Sequence, residues 1–173
     1  TILIFALSIL FVYFLLSAQY ESYILPWAVL LSIPVGLIGV FTVINLVGLQ
    51  NNIYVQVGLI MLIGLLAKNA ILIVEFAVQE RKNGKSIVEA AISGSKLRLR
   101  PILMTSLAFV AGLVPLMWTV GPSAIGNHSI SFSAAGGMLF GVAFGIFIIP
   151  VLFVVFKSLD EKLHDKLAKE EEE

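Results

Sequence analysis

The sequence predicts an all-α membrane protein: five transmembrane helices plus one short amphipathic helix at the membrane surface. Three observations carry this. Apolar residues make up 59% of the 173-residue chain and charged residues only 13%, whereas a soluble domain of this length needs a more polar exterior. The apolar residues come in runs of about twenty, the length that crosses ~30 Å of hydrocarbon at ~1.5 Å per residue. The zero net charge hides a segregation, since ten of the eleven Lys and Arg lie in Arg81–Arg100 or Lys157–Lys169, and the eleventh is Lys68.

The first span is expected over residues 2–18 and the second over 24–47. The third covers 53–78, the fourth 101–120 and the fifth 130–156. Gln19–Tyr23, Gly48–Asn52, Gln79–Arg100 and Gly121–Ser129 connect them, and residues 158–173 form a charged tail expected to be solvated and frayed. The chain opens at Thr1 and is apolar from Ile2. With no charged leader before the first span, it is expected to be a piece of a longer protein.

Orientation follows from the basic residues. Six of them lie in Arg81–Arg100 and four in the tail. These segments are two spans apart and so share one side, which should be the cytoplasm. Gly48–Asn52 and Gly121–Ser129 carry no Lys or Arg, as befits the outer side. Thr1 is then outside and the C-terminus inside.

Within the basic segment, Ser86-Ile87-Val88-Glu89 fits a capping box, in which serine and glutamate satisfy the free amides of a helix start. Ile87, Ala90, Ala91 and Ile92 follow at helical spacing and predict the amphipathic surface helix. Pro101 suits the first turn of the fourth span. Pro34, Pro115 and Pro150 are candidate kinks. Ser133, Gly137, Gly141 and Gly145 recur every four residues, a spacing of small side chains that lets helices approach closely.

Lys68 is the most informative residue. An ammonium well inside a span costs at least ~2.5–3.5 kcal/mol on insertion scales, so it should face protein or water and have a partner. Snorkelling, or a static pair with Glu75, competes with a switchable cation on an ion pathway. Asn69 offers an amide beside it. Thr105 lies early in the fourth span, where a hydroxyl also often bonds its own helix. Arg98 and Arg100 read as topology anchors or as members of a relay. His128 and His164 read as surface residues. Glu75 is the only carboxylate inside the five spans and the first aspartate is Asp160, so an acid to titrate against Lys68 is expected from elsewhere in a longer protein. The chain has no cysteine, which removes disulfides and thiolate metal sites. No metal or cofactor is expected, nor an enzyme activity. The basic residues sit where topology already explains them, so nucleic-acid binding has no support.

Four stretches bring out a family likeness: Tyr20-Glu21-Ser22, Gln56-Val57-Gly58-Leu59, Ala67-Lys68-Asn69-Ala70-Ile71-Leu72-Ile73-Val74-Glu75-Phe76 and Arg98-Leu99-Arg100-Pro101-Ile102-Leu103-Met104-Thr105-Ser106. In them the sequence resembles the resistance-nodulation-division (RND) efflux pumps, in the hydrophobe/amphiphile branch. The likeness runs from about Ile4 to Phe156 and implies the last five of that family's twelve spans. It further implies a drug/proton antiporter of the bacterial inner membrane, working as a homotrimer with a periplasmic adaptor protein and an outer-membrane channel. Lys68 would match the lysine that pairs with two aspartates of the N-terminal half. Thr105 would match the relay threonine and Arg98 an arginine at the relay's inner mouth, with Asn69 beside them. A non-transporting membrane scaffold and a protein-export accessory sharing the fold remain the alternatives.

Overall fold

The computed structural model describes residues 2–20 and 22–170. Among them every regular element is a helix: α1 (Ile2–Tyr20), α2 (Leu25–Leu30), α3 (Ile33–Val47), α4 (Ile53–Lys82), α5 (Ile87–Met117) and α6 (Ala124–Glu170). Four stretches are long and apolar enough to cross a membrane, namely Leu25–Val47, Ile53–Lys82, Ile87–Met117 and Ala124–Lys162. α1, at 19 residues, is the helix where the first span was expected.

The helix ends are set by local chemistry. Asn52 caps α4, its Oδ1 accepting from the Val55 amide at 3.0 Å. At the C-cap of α3, Gly48 adopts a left-handed φ of +73°, which lets the Leu49 amide turn back to the Ile44 carbonyl at 3.0 Å. Ser86 and Glu89 form the expected capping box, each satisfying the other's backbone amide.

The expected second span is divided. α2 and α3 are separated at Leu31 and Ser32, which keep right-handed helical angles. Pro34 lacks the amide that would reach the Leu30 carbonyl, and so interrupts the ladder without turning the chain aside. The Ser32 hydroxyl donates to the Val29 carbonyl at 2.6 Å.

Two further expectations are corrected. The amphipathic surface helix is not separate: α5 starts at Ile87 and continues through Pro101 to Met117 as one helix. Its first turns are packed against α4. Ala90, Ala91 and Gly94 are buried, and a Cβ on Gly94 would come within 2.6 Å of the Ala77 amide nitrogen, so α4 and α5 cross here almost backbone to backbone. That contact keeps the helix in line through a proline that removes only one hydrogen bond. Likewise, α6 passes Lys157 without a break and stays helical to Glu170, where a frayed tail was expected. The tail's last three residues, 171–173, lie outside the described residues.

α6 is the central post, touching α2, α3, α4 and α5. Ser133, Gly137 and Gly141 form its tight seam. A Cβ on Gly137 would collide with Leu62 and Val40, and one on Gly141 would lie 2.5 Å from a Leu66 methyl. Ser133 is fully buried against Gly58 of α4. Lipid is as apolar as leucine, so such interdigitation, more than hydrophobic burial, holds membrane helices together.

The two ends of the bundle are tied separately. At one end Asn52 Nδ2 donates to Ser129 Oγ at 2.9 Å. His128 Nε2 also donates to the Thr119 carbonyl at 2.9 Å, so this histidine is half-buried and closes a loop. At the other end Ser22 meets Asp160 and Arg81 meets Glu161. This grouping places Gly48–Asn52 with Gly121–Ser129, and the basic connector with the start of the tail.

Candidate functional site

The site is built on α4 and α5, and it starts from where Lys68 sits. It lies fifteen residues after Ile53 and fourteen before Lys82, at the midpoint of the helix. The buried side of α4 is formed by Val55, Gly58, Leu62, Leu66, Ala70, Ile73, Val74 and Ala77. Those residues recur at helical spacing and face α6 and its neighbours. Lys68 is on the opposite side with Val57, Met61, Gly64 and Glu75, all exposed. Gly64 has no neighbour within 4 Å of where its Cβ would stand. Lys68 makes no hydrogen bond or ion pair among the described residues, and neither does Glu75. The static Lys68–Glu75 pair is therefore not formed.

Thr105, on α5, is exposed. Its hydroxyl donates within its own helix, to the carbonyls of Pro101 at 3.0 Å and Ile102 at 3.1 Å. Pro101 and Gly112 share the exposed side, and Gly112 is as open as Gly64. The uncovered faces of α4 and α5 thus present small residues beside a threonine and a lysine.

Asn69 follows Lys68 in sequence but is turned about 100° around the helix. It lines a cavity of about 10 Å³ with Ser32, Leu66, Ile102, Gly141 and Gly145. Its Nδ2 is buried without a hydrogen-bond partner, as is Ser106 Oγ on α5. Gly145, the last of the small-residue series, opens onto this cavity and makes no tight contact with another helix.

Arg98 is half-buried, and its guanidinium carbon lies 3.8 Å from the centre of the Phe76 ring. A cation over an aromatic face is attracted by the ring quadrupole, by ~0.5–2 kcal/mol depending on desolvation. Its Nε has no partner. Arg98 therefore fastens α5 to α4 where both leave the apolar zone. The packing of Phe76 on Arg98 is not readable from composition or spacing, because a phenylalanine on a membrane helix is indistinguishable from any lipid-facing one.

No mutual hydrogen bond links Lys68, Asn69, Thr105 and Arg98 among the described residues. Lys68 and Thr105 are on uncovered faces, Asn69 lines the small cavity, and Arg98 is at the end of the α4–α5 seam nearer the basic connector. No cluster of metal-ligating side chains occurs among the described residues.

Long apolar helices, closed end-ties and small-residue packing define a multi-pass helical membrane protein. Comparison with known proteins narrows the class. Residues 1–157 match the AcrB/AcrD/AcrF family, and the chain belongs to this family of RND efflux transporters. It is 49% identical over 156 residues to the toluene efflux pump membrane transporter TtgB of Pseudomonas putida. It is 45% identical over 157 residues to the multidrug resistance protein MdtF of Escherichia coli. Both alignments cover 90% of this chain and 15% of the relative. A third, with the toluene efflux pump membrane transporter TtgE of Pseudomonas putida, is 41% identical over 99% of the chain and 16% of the relative. The chain thus spans about one sixth of the length of the curated relatives it matches.

Proposed function

We propose that this chain forms five membrane spans, α1 among them, of a proton-driven efflux transporter of the bacterial inner membrane, and that Lys68 is the cation of its proton relay. The observation that carries this is the placement of Lys68. It is at mid-helix, on a face that no described residue covers, and it forms no ion pair among the described residues. About 15 Å of helix separates it from Val78 at the inner edge of the apolar run, too far for snorkelling to bring the ammonium to water. Such a lysine needs carboxylates from another membrane segment, and the open faces of α4 and α5 leave room for one.

The chemistry follows from charge. While the partner acids are ionised they hold the ammonium; when they take up protons the attraction falls and α4 can relax. Inside a low-dielectric site a one-charge change shifts a two-state equilibrium by several kcal/mol. Thr105, at the entrance to the same open face, would exchange its intrahelical bond for one to the relay. Arg98 would set the positive potential at the inner mouth, and Asn69 would support the lysine turn from behind. The basic connector and the tail are cytoplasmic in this scheme and Thr1 is periplasmic. From the family come the remaining partners: an N-terminal half, two further copies in a trimer, a periplasmic adaptor and an outer-membrane channel.

The test is Lys68→Met in the complete transporter, with dye efflux from cells and proton counterflow in liposomes as readouts. Both should be lost while membrane insertion and assembly persist. Lys68→Arg should also fail, because a planar fork does not replace a compact ammonium. Normal efflux by Lys68→Met at matched expression would leave the segment as a membrane scaffold.

A further inference from the structure

Asp160 and Glu161, adjacent on the extension of α6 beyond its apolar part, bind two different elements. Asp160 is a buried carboxylate, 6% exposed. Its Oδ1 accepts from Ser22 Oγ at 2.8 Å and its Oδ2 from Lys157 Nζ at 2.9 Å. The Ser22 hydroxyl oxygen in turn accepts from the amides of Ile24 at 3.2 Å and Leu25 at 3.4 Å. The Ser22 carbonyl receives the Ser17 hydroxyl at 3.2 Å. Asp160 therefore ends a chain of bonds that organises the whole α1–α2 junction. Glu161 faces the other way. Its two oxygens take Nε and Nη2 of Arg81, each at 3.0 Å, while Nη1 of Arg81 donates to the Lys85 carbonyl at 2.8 Å.

α1 needs such an anchor. Leu7, Leu10, Phe11, Phe14 and Leu15 are exposed, and its buried side chains among those described are Leu16 and Ser17, close to the junction. Tyr20, at its last residue, donates to the Ile71 carbonyl of α4 at 3.1 Å. Hence the described contacts that hold α1 gather at its C-terminal end.

We infer that the α6 extension is a conformational strap, with Asp160 holding the α1–α2 junction and Glu161 the end of α4, so that the inner ends of α1 and α4 are kept in register through α6. The strap does not depend on the relay assigned to Lys68. It is polar because it must hold outside the hydrocarbon, where apolar packing between lipid-facing helices ends. The Arg81–Glu161 fork adds direction to its attraction, since two parallel bonds resist rotation. Asp160 is dry enough that loss of the Ser22 hydroxyl leaves a buried carboxylate oxygen without its donor, a larger penalty than at an exposed pair.

Spin labels test this in the intact protein, on cysteines introduced at exposed positions Phe14 of α1, Lys82 of α4 and Phe147 of α6. Pulsed dipolar distances then report α1–α6 and α4–α6 separately. Ser22→Ala should raise the detached fraction in the Phe14–Phe147 distribution roughly tenfold, as expected for losing a hydrogen bond to a charged group, and Asp160→Asn, which keeps an Oδ1 acceptor but loses the charge, should raise it less. The Lys82–Phe147 distribution should stay as it was. Glu161→Gln should instead broaden the Lys82–Phe147 distribution by loosening the end of α4, the seam holding the rest of the helix in place, and leave Phe14–Phe147 as it was. Ser22→Thr, which keeps the hydroxyl, should restore the Phe14–Phe147 distances. Should Asp160→Asn not assemble, Ser22→Ala carries the test, since it leaves the Lys157–Asp160 pair in place. Unchanged distances in Ser22→Ala, or equal broadening of both pairs by any one variant, would overturn the strap. Loss of efflux in Lys68→Met bears on neither distance, so the two proposals fail separately.

Discussion

Lys68 and Asn69 are consecutive in the chain yet serve different environments: the ammonium is on the uncovered side of α4, and the amide lines a small cavity against α6. One helical turn thus carries a polar group outward to whatever docks there and another inward to a space about the size of a single water.

Substitutions at the two positions should therefore separate. Asn69→Leu removes a buried Nδ2 that has no partner, and an apolar group of similar shape is tolerated or favoured there. The thermal midpoint of the purified protein is expected to hold or rise. Efflux should fall far less than in Lys68→Met. An Asn69→Leu variant as inactive as Lys68→Met would place the amide in the relay itself.

Packing on α6 gives a second expectation. Gly137→Ala would push a methyl into Leu62 and Val40, an overpacking that costs ~1–3 kcal/mol. Gly141→Leu should be worse and should lower resistance to unfolding in detergent. Equal stability in these variants would mean that α6 does not pack on α4 in the membrane.

The open face supplies the opposite contrast. Gly64 and Gly112 have nothing within 4 Å of an added Cβ, so Ala at either should be neutral or slightly stabilising for this segment alone, by up to ~1 kcal/mol from helix propensity. In a complete transporter Gly64→Leu should impair assembly, because other membrane helices would cover that face. Normal assembly and efflux in Gly64→Leu would show that the face meets lipid.

Acid should loosen the end of the bundle that carries the basic connector. The Ser86 hydroxyl and amide hold Glu89 below the ordinary value of 4.5, and the Arg81 guanidinium does so for Glu161. A folded-state value below the unfolded one means that the contribution is complete above about pH 4.5 and is lost as pH falls through the lower folded value. A spin label at Asn83, between these two contacts, should keep constant mobility at neutral pH and become more mobile only below that point. Mobility rising already between pH 7 and 5 would point to other groups.

Orientation is open to direct labelling. Cysteines at Asn51 and Ser123 should react with an impermeant maleimide from the outside, and one at Asn83 only in inverted vesicles. Reaction at Asn83 in intact cells would reverse the topology.

Much of this architecture was legible in the sequence, because a bilayer imposes length and polarity on each element in turn. The apolar runs, the Asn52 and Gly48 boundaries, the Ser86–Glu89 box and the Ser133–Gly141 seam all depend on local pattern. What escaped depends on contacts distant in sequence. Pro101 looked like a helix start because the buried crossing of Gly94 on Ala77 cannot be read from either stretch. The tail looked frayed because Asp160 and Glu161 find Ser22 and Arg81 only in the fold. For the site, the mid-helix position of Lys68 was legible and its uncovered face was not. Thr105 shows the limit most clearly, since its intrahelical bonds match both a resting relay hydroxyl and an ordinary helix threonine.

The α6 seam also limits how this chain can change over time. Its small residues recur every fourth position, and each side chain of α4 and α3 that meets them fills one gap. Inserting a single residue between Ser133 and Gly141 would rotate half of α6 by about 100° and bring Phe140 to the seam in place of Gly141, and deleting one would bring Val142 there. Point substitutions on the outer side of α6 are cheap by comparison. Sequence drift in this helix is therefore confined to exchanges that keep its length, and gene segments recombined between relatives will work only when their junctions preserve that count.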